Sequence, residues 1–111
     1  MVEAKNVENV PVLQILEGKV TAAVIADFKK ALDENLDTTK ATVLDMNQVE
    51  FMDSSGLGAL IACCKRMELN TDLAVCNLSS NVQEIFEITR MNRVFKVYDS
   101  LAEAVGTYSQ G

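Results

Sequence analysis

The sequence predicts an α/β domain in which about four helices pack on a mixed sheet of about four to five strands. The main observation is that the hydrophobic period changes repeatedly along the chain between two, typical of strands, and about 3.6, typical of helices. The resulting order is β-β-α-β-α-β-α-β-α, and its helical crossovers favour a largely parallel or mixed sheet. A chain of 111 residues is long enough for one hydrophobic core, so residues 1–111 are expected to form a single domain.

The chain begins with two extended segments that are expected to pair as a hairpin. Residues 2–7 and 10–16 are rich in strand-forming residues, and the turn-forming pair Glu8-Asn9 separates them. Because Pro11 has no amide hydrogen to donate to a ladder, its strand is predicted to lie at a sheet edge or to carry the proline near its start.

A first helix is predicted after Gly18, where the hydrophobic period changes. Thr21 is its expected N-cap, because a threonine hydroxyl can accept a hydrogen bond from a first-turn amide. The apolar residues of its core face are Ile25, Phe28, Leu32 and Leu36. Residues 41–46 then form a short apolar run with little polar alternation, which predicts a buried central strand.

The rest of the chain repeats the alternation of helix and strand. It is predicted to contain a helix over about residues 54–69, a strand over 73–76, a short helix, a strand over 94–98 and a last helix. Ser80 and Gln83 have the spacing of a capping box at the start of the third helix. Ser100 and Glu103 have the same spacing at the start of the fourth.

The composition excludes several classes of function. The chain has no histidine, which removes the commonest general base and the commonest metal ligand. Cys63, Cys64 and Cys76 lack the spacing of a zinc site or a disulfide framework and are expected to be core thiols in a reducing compartment. No catalytic residue, metal ligand or cofactor is therefore predicted.

Charge and hydropathy bear on the expected partners and location. The net charge is -6, and lysine and arginine are not clustered, which argues against nucleic acid. No window approaches the ~20 apolar residues of a membrane span, and Met1–Lys5 does not resemble the start of a secretory leader. A cytoplasmic protein with no membrane partner is expected.

Residues 51–60 carry two serines and two glycines where an extended segment passes into a helix. Asp53 is the expected N-cap of that helix, accepting a hydrogen bond from the amide of Ser55 or Gly56. Ser54 would then stand in the first turn, where a phosphate would meet unpaired amides and the positive end of the helix dipole, although Asp53 would repel it. Two serines are more than one capping bond needs, yet the same residues are also typical of a simple cap.

Gly56 and Gly58 lie within the first turn and a half of the same helix. Each costs the helix about 1 kcal/mol relative to alanine, so each requires a reason beyond capping. Either the glycines allow close packing of the helix on the sheet, or they let another protein approach the backbone closely.

The run F-M-D-S-S-G-L-G at residues 51–58 closely resembles the signature of STAS domains, in the branch of bacterial anti-sigma factor antagonists, or anti-anti-sigma factors. The resemblance covers nearly the whole chain and implies a single STAS domain. Its other supports are Gly18 after the second strand, V-L-D at 43–45, L-A-V-C at 73–76, I-F at 85–86 and V-F at 94–95.

The resemblance implies a phosphorylation switch. Ser54, the first serine of the D-S-S-G run, would be the phosphoacceptor. The dephosphorylated protein would bind an anti-sigma factor, usually also an ATP-dependent serine kinase, and thereby free a sigma factor. Phosphorylation would end that binding, and a PP2C-type serine phosphatase would restore it. Such a protein is a binding module without catalysis of its own, expected as a monomer or weak dimer.

The expected partner-binding residues surround Ser54 and follow the second helix. They are Thr21, Asp53, Ser55, Gly56, Leu57, Gly58, Ala59, Ala62, Cys63 and Arg66. Helical spacing predicts a core stripe of Leu57, Leu60, Ile61 and Cys64. The opposite stripe consists of Ala59, Ala62, Cys63 and Arg66. It is a docking surface, a face covered by a neighbouring loop, or the surface of an ordinary alanine-rich helix. Thr21 stands where the family often has an aspartate, so it can still cap a helix but supplies no carboxylate.

Three other functions remain open. A STAS domain without a switch would serve as a scaffold of a signalling particle or as a subunit of a lipid-transport complex. Acyl carriers are also small and acidic with Asp-Ser at a helix start, but they are helical bundles, which the strand-rich sequence argues against. An enzyme using Asp or Glu would need a converging pair of carboxylates, and none is identifiable.

Overall fold

The centre of the fold is a mixed sheet of five strands, seen in a computed structural model that describes residues 1–109. In chain order the strands are β1 (Val2–Val7), β2 (Val10–Ile15), β3 (Lys19–Val20), β4 (Thr42–Asp45), β5 (Phe51–Met52), β6 (Leu73–Cys76) and β7 (Lys96–Tyr98). Five of these strands form this sheet, and the other two, β3 and β5, form a separate pair. The helices are α1 (Ile25–Asn35), α2 (Ser54–Arg66), α3 (Ser80–Ile88) and α4 (Leu101–Tyr108). Short 3-10 turns cover Ala22–Val24 and Met91–Arg93.

The sheet has the order β1-β2-β4-β6-β7, with β1 antiparallel to β2 and every later neighbour parallel. The predicted α/β class, the mixed sheet and the alternation of strands and helices are confirmed. All four residues of β4 are buried between β2 and β6, as expected for a short apolar strand covered on both faces.

The predicted first hairpin is present. Glu8 and Asn9 have φ of 51° and 68°, which is typical of the type I′ turns that join paired strands. Pro11 lies opposite Asn6, one residue inside β2. Because β2 is flanked by both β1 and β4, the alternative of a proline near the strand's start is correct and that of an edge strand is wrong.

Helices cover both faces of the sheet and bury two separate groups of apolar residues. Helices α1, α2 and α3 share one core, whose largest members include Phe28, Leu32, Leu60, Phe86 and Phe95. On the opposite face Ala104 and Val105 of α4 pack with small residues of β2, β4 and β6. Alternate residues of each strand point to opposite faces, which is why a single strand supplies both cores.

A second, smaller sheet was not predicted. Strands β3 and β5 form a parallel pair in which Lys19 lies opposite Phe51 and Val20 opposite Met52. Each has only two residues, too few to show a period of two in the sequence. The pair matters because it brings the chain just before α1 beside the chain just before α2.

Two predicted helix boundaries are corrected by contacts that are distant in sequence. Helix α2 ends at Arg66, not near residue 69, because the chain turns extended at Met67 and the Glu68 amide donates to the Thr38 carbonyl at 2.9 Å. Ser79, not Ser80, caps α3. Its hydroxyl accepts from the amide of Val82 and also lies 3.1 Å from the carbonyl oxygen of Glu50.

The predicted starts of the last strand and of the last helix have different outcomes. Strand β7 begins at Lys96 rather than Val94, because the amides of Val94 and Phe95 donate to the Met91 carbonyl of a 3-10 turn. The predicted cap of α4 is confirmed, since the Ser100 hydroxyl accepts from the Glu103 amide at 3.1 Å.

The cysteines are free thiols within or beside the cores, as predicted. Cys63 and Cys76 are buried, and Cys64 is half-buried. Burial, together with the nearby charge of Asp45, raises the pKa of Cys76 to about 12, so its thiol stays protonated and unreactive at neutral pH. Within residues 1–109, no helix has the length and apolar character required to cross a membrane.

Candidate functional site

Asp53 is the N-cap of α2, as predicted. Its backbone is extended, and Oδ1 of its carboxylate accepts hydrogen bonds from the amides of Ser55 at 2.9 Å and Gly56 at 3.1 Å. Its own amide donates to the Val20 carbonyl at 3.2 Å. The residue is therefore held by the β3–β5 pair on one side and by the first turn of α2 on the other.

The second carboxylate oxygen of Asp53 caps a different segment. Oδ2 accepts a hydrogen bond from the amide of Ala22 at 3.0 Å, across 31 positions of sequence. Ala22 begins the 3-10 turn that leads into α1. One side chain thus closes the starts of two helical segments.

The prediction that Thr21 caps the first helix is wrong. Thr21 occupies the N-cap position of the 3-10 turn, but its side chain makes no capping hydrogen bond. Asp53 binds the amide of Ala22 instead, because the β3–β5 pair delivers its carboxylate to that point.

The electrostatics of Asp53 follow from these contacts. The amide of Gly56 contributes most to holding the pKa of the carboxyl below its ordinary value, and the amides of Ala22 and Ser55 act in the same direction. Partial desolvation opposes them. The side chain is consequently an anion at neutral pH.

Ser54 is the first residue of α2 and is exposed, whereas Ser55 is half-buried. The Ser54 side chain is thus open to another protein, in the first turn of α2 where the sequence analysis places it. The expectation that a phosphate here would meet unpaired amides is wrong for Ser55 and Gly56, because Asp53 already binds both.

The two glycines of α2 have different structural reasons. A Cβ atom on Gly56 would lie 2.6 Å from the Val20 carbonyl oxygen and 2.8 Å from Cγ of Met52, so this position requires glycine for close packing on β3 and β5. A Cβ atom on Gly58 would meet nothing within 4 Å. Gly58 is exposed, and within residues 1–109 no packing contact at this position explains its cost to the helix.

The family model for the STAS domain matches residues 1–104. The chain belongs to the STAS domain family. It is similar to a protein named as an anti-sigma factor antagonist, BtrV of Bordetella bronchiseptica, with 26% identity over 95 residues that span 84% of this chain and 82% of that protein.

Solved structures confirm the STAS fold. An anti-sigma factor antagonist from Mycobacterium paratuberculosis superposes with a TM-score of 0.88 at 21% identity, covering 97% of this chain and 92% of that one. The Bacillus cell fate determinant SpoIIAA in its phosphorylated form gives a TM-score of 0.61 at 18% identity, covering 96% and 98%. These likenesses are of fold.

The predicted outer face of α2 in this STAS domain is partly wrong. Ala59 and Cys63 are 1% and 4% exposed and belong to the core, because α1 packs along α2 and widens its buried arc beyond one stripe. The charge of Asp33 on α1 is close enough to add to burial in raising the pKa of Cys63. Ile61 and Cys64, expected in the core stripe, are only half-buried.

The other predicted partner-binding residues divide by exposure. Gly56 and Leu57 are buried, while Thr21, Asp53 and Ser55 are half-buried. The exposed members are Gly58, Ala62 and Arg66. Arg66 forms a salt bridge with Asp33 of α1, so its guanidinium contacts the neighbouring helix at the far end of α2 from Ser54.

An open groove beside Asp53 was not predicted. It has a volume of about 290 Å³ and runs between β5 and α3. Its lining consists of Phe51, Met52, Asp53, Asn81, Glu84, Ile85 and Ile88. The sequence does contain a signal for it, since Ile85 and Ile88 add apolar positions to α3 beside the buried pair Val82 and Phe86.

Substitution of the two glycines by alanine should separate their roles. Gly56→Ala is expected to lower the free energy of unfolding by about 2 kcal/mol, because the added methyl group must displace backbone atoms of β3. Gly58→Ala is expected to raise it by up to about 1 kcal/mol, the difference in helix propensity. Urea unfolding followed by circular dichroism measures both, and equal effects of the two substitutions would contradict the packing described.

Asp53→Asn should destabilise the protein in a pH-dependent way. A single amide oxygen can replace Oδ1 but not Oδ2, so the Ala22 amide loses its acceptor. The folded pKa of Asp53 is lowered, so its contribution is fully present above the unfolded value of about 3.9 and is lost as the pH falls through the folded value.

The measurement for Asp53→Asn is the free energy of unfolding in urea at a series of pH values. The difference from the wild type should be constant near neutral pH and shrink in acid. Asp99→Asn, which removes the carboxylate of an exposed residue, is the control. A difference for Asp53→Asn that does not change with pH would show that the ionised carboxylate is not the stabilising species.

Proposed function

We propose that this STAS domain is an anti-sigma factor antagonist controlled by phosphorylation of Ser54. In its dephosphorylated form it binds an anti-sigma factor that is also an ATP-dependent serine kinase, and so releases a sigma factor. Phosphorylation of Ser54 by that partner ends the binding, and a PP2C-type serine phosphatase reverses it. The protein supplies a surface and a phosphoacceptor in the cytoplasm, and the chemistry belongs to its partners.

The observation that carries this proposal is the placement of Ser54. The residue is exposed at the first position of α2, beside an anchored carboxylate and one turn from the open space over Gly58. A kinase must reach the hydroxyl oxygen directly. A partner must approach the backbone closely enough for a phosphate there to weaken the contact by repulsion and desolvation. Relatives named as anti-sigma factor antagonists support the same reading.

The switch is expected to act at the interface rather than through the fold. A phosphate adds about -1.5 to -2 charges at neutral pH. The amides of Ser55 and Gly56 are already bound by Asp53, so the phosphate would project from the surface instead of taking over the cap. Bound against a partner, it would be desolvated and would lie beside the anionic Asp53, which weakens the complex.

Ser54→Ala is expected to bind the partner kinase constitutively, and Ser54→Glu is expected to bind at least about tenfold more weakly, because a charge enters a desolvated contact. Isothermal titration with the purified anti-sigma kinase measures both. Ala102→Glu adds the same charge to an exposed first-turn position on the opposite side of the sheet and should bind like the wild type. Equal affinities of Ser54→Ala and Ser54→Glu would contradict the proposal.

Phosphate transfer can be tested without knowing the biological output. Incubation with ATP and the serine kinases of the same genome, followed by mass spectrometry, should place one phosphate on Ser54 and none on Ser54→Ala. Phosphate on another residue, or none with any kinase, would favour a scaffold role for this STAS domain.

Ala62→Arg tests whether the exposed part of α2 belongs to the interface. Ala62 is exposed, so the larger side chain should leave the melting temperature nearly unchanged while weakening partner binding by about tenfold or more. Ala59→Arg is the contrast, because Ala59 is buried and the substitution should lower the melting temperature. Wild-type affinity of Ala62→Arg would place this face outside the interface.

A further inference from the structure

We propose that the groove between β5 and α3 binds a helical segment of a partner protein that carries one large apolar side chain and a lysine or arginine about one turn away. The groove is the surface lined by Phe51, Met52, Asp53, Asn81, Glu84, Ile85 and Ile88. The inference rests on the proposed function, because it names the chemistry of the partner that would dock beside Ser54.

Apolar exposure at the groove is the first argument. Ile88 is 73% exposed and Phe51 is 40% exposed, and both line the same concave surface together with half-buried Ile85. Side chains of this size cost free energy when they face water, so burying each of them on binding is favourable. Two large apolar side chains exposed around one concavity are typical of a protein contact.

The shape favours a side chain of another protein over a small molecule. The groove is open rather than enclosed, whereas a typical small-molecule site buries most of the surface of its ligand. One bulky side chain presented by a helix fits such a surface, as in other helix-in-groove contacts.

The negative charge of the groove is the argument for a lysine or arginine in the partner segment. Among the residues that the structure describes, Asp53 and Glu84 line the groove and no basic residue does. Asp53 is committed to three backbone amides. Glu84 is exposed, and neither salt bridge found among residues 1–109 involves it. Its carboxylate is therefore the free anion to which a basic side chain can pair.

The same charge disfavours other macromolecules. Phosphates of nucleic acids and of anionic lipids would be repelled by the two carboxylates of the lining. A basic and apolar protein segment is attracted by the charge and by the apolar lining together. Because Asp53 lines the groove and precedes Ser54, a partner held there lies next to the phosphoacceptor.

The first test uses the serine kinase that phosphorylates Ser54 as the probe, with all groove variants made in the Ser54→Ala background. Ile88→Asp and Glu84→Lys should each weaken binding by about tenfold or more, and the affinity of the parent should fall as sodium chloride is raised from about 0.05 to about 0.5 M. Leu69→Asp is the matched control, since Leu69 is 91% exposed and lies beyond the C-terminal end of α2, away from Ser54. It should bind like the parent.

A second test reads the groove independently of any kinase. A display library of random helical 20-residue peptides is selected on the wild-type protein. Enriched peptides should share a large apolar residue with Lys or Arg three or four positions away, and they should lose binding to Ile88→Asp and Glu84→Lys but not to Leu69→Asp. Circular dichroism of each variant confirms that it is folded.

The outcomes separate the two proposals. Kinase binding that is weakened by Ser54→Glu but unchanged in Ile88→Asp and Glu84→Lys would overturn the groove and leave the switch intact. Peptides without basic residues, or peptides insensitive to both groove variants, would also overturn it. Absence of any kinase that binds or modifies the chain would overturn the switch, and the peptide selection would still decide the groove.

Discussion

The candidate site depends on the hydrogen bonds that the carboxylate of Asp53 accepts from backbone amides. Its two oxygens accept hydrogen bonds from amides at the starts of two helical segments that are 31 positions apart in sequence. The short β3–β5 pair makes this possible, because it aligns the two chain segments that precede those helices. Ser54 follows Asp53 directly, so the position of the exposed hydroxyl is set by a side chain that is itself held from both sides.

This arrangement gives the electrostatic setting of the proposed switch. The amides of Ala22, Ser55 and Gly56 stabilise the anion of Asp53. Because Asp53 already binds the first-turn amides of Ser55 and Gly56, these two are not free to bind a phosphate. A phosphate on Ser54 would then add charge at the surface of a protein whose net charge is already -6. The added charge has the same sign as the overall charge, so the proposed effect is local, where the phosphate meets the partner.

Long, periodic elements of the fold were predictable from the sequence, and short contacts between distant segments were not. The core face of α1 and the buried strand β4 follow directly from residue patterns. The β3–β5 pair is too short to have a pattern, and the failure of Thr21 as a cap follows from it. Ala59 and Cys63 were misplaced because a helical wheel shows one core stripe but not the second helix, α1, that packs beside it. The groove depends on β5 and α3 meeting, which no local pattern reports.

The most direct test of the role of Asp53 is a pH titration of backbone amide chemical shifts by NMR. If one carboxylate binds all three amides, the resonances of Ala22, Ser55 and Gly56 should shift together with a common midpoint below the ordinary aspartate value of about 3.9. In Asp53→Asn the common transition should be lost. A transition in Ser55 and Gly56 that Ala22 does not share, or a midpoint at the ordinary value, would contradict the claim that Asp53 ties the two helix starts together.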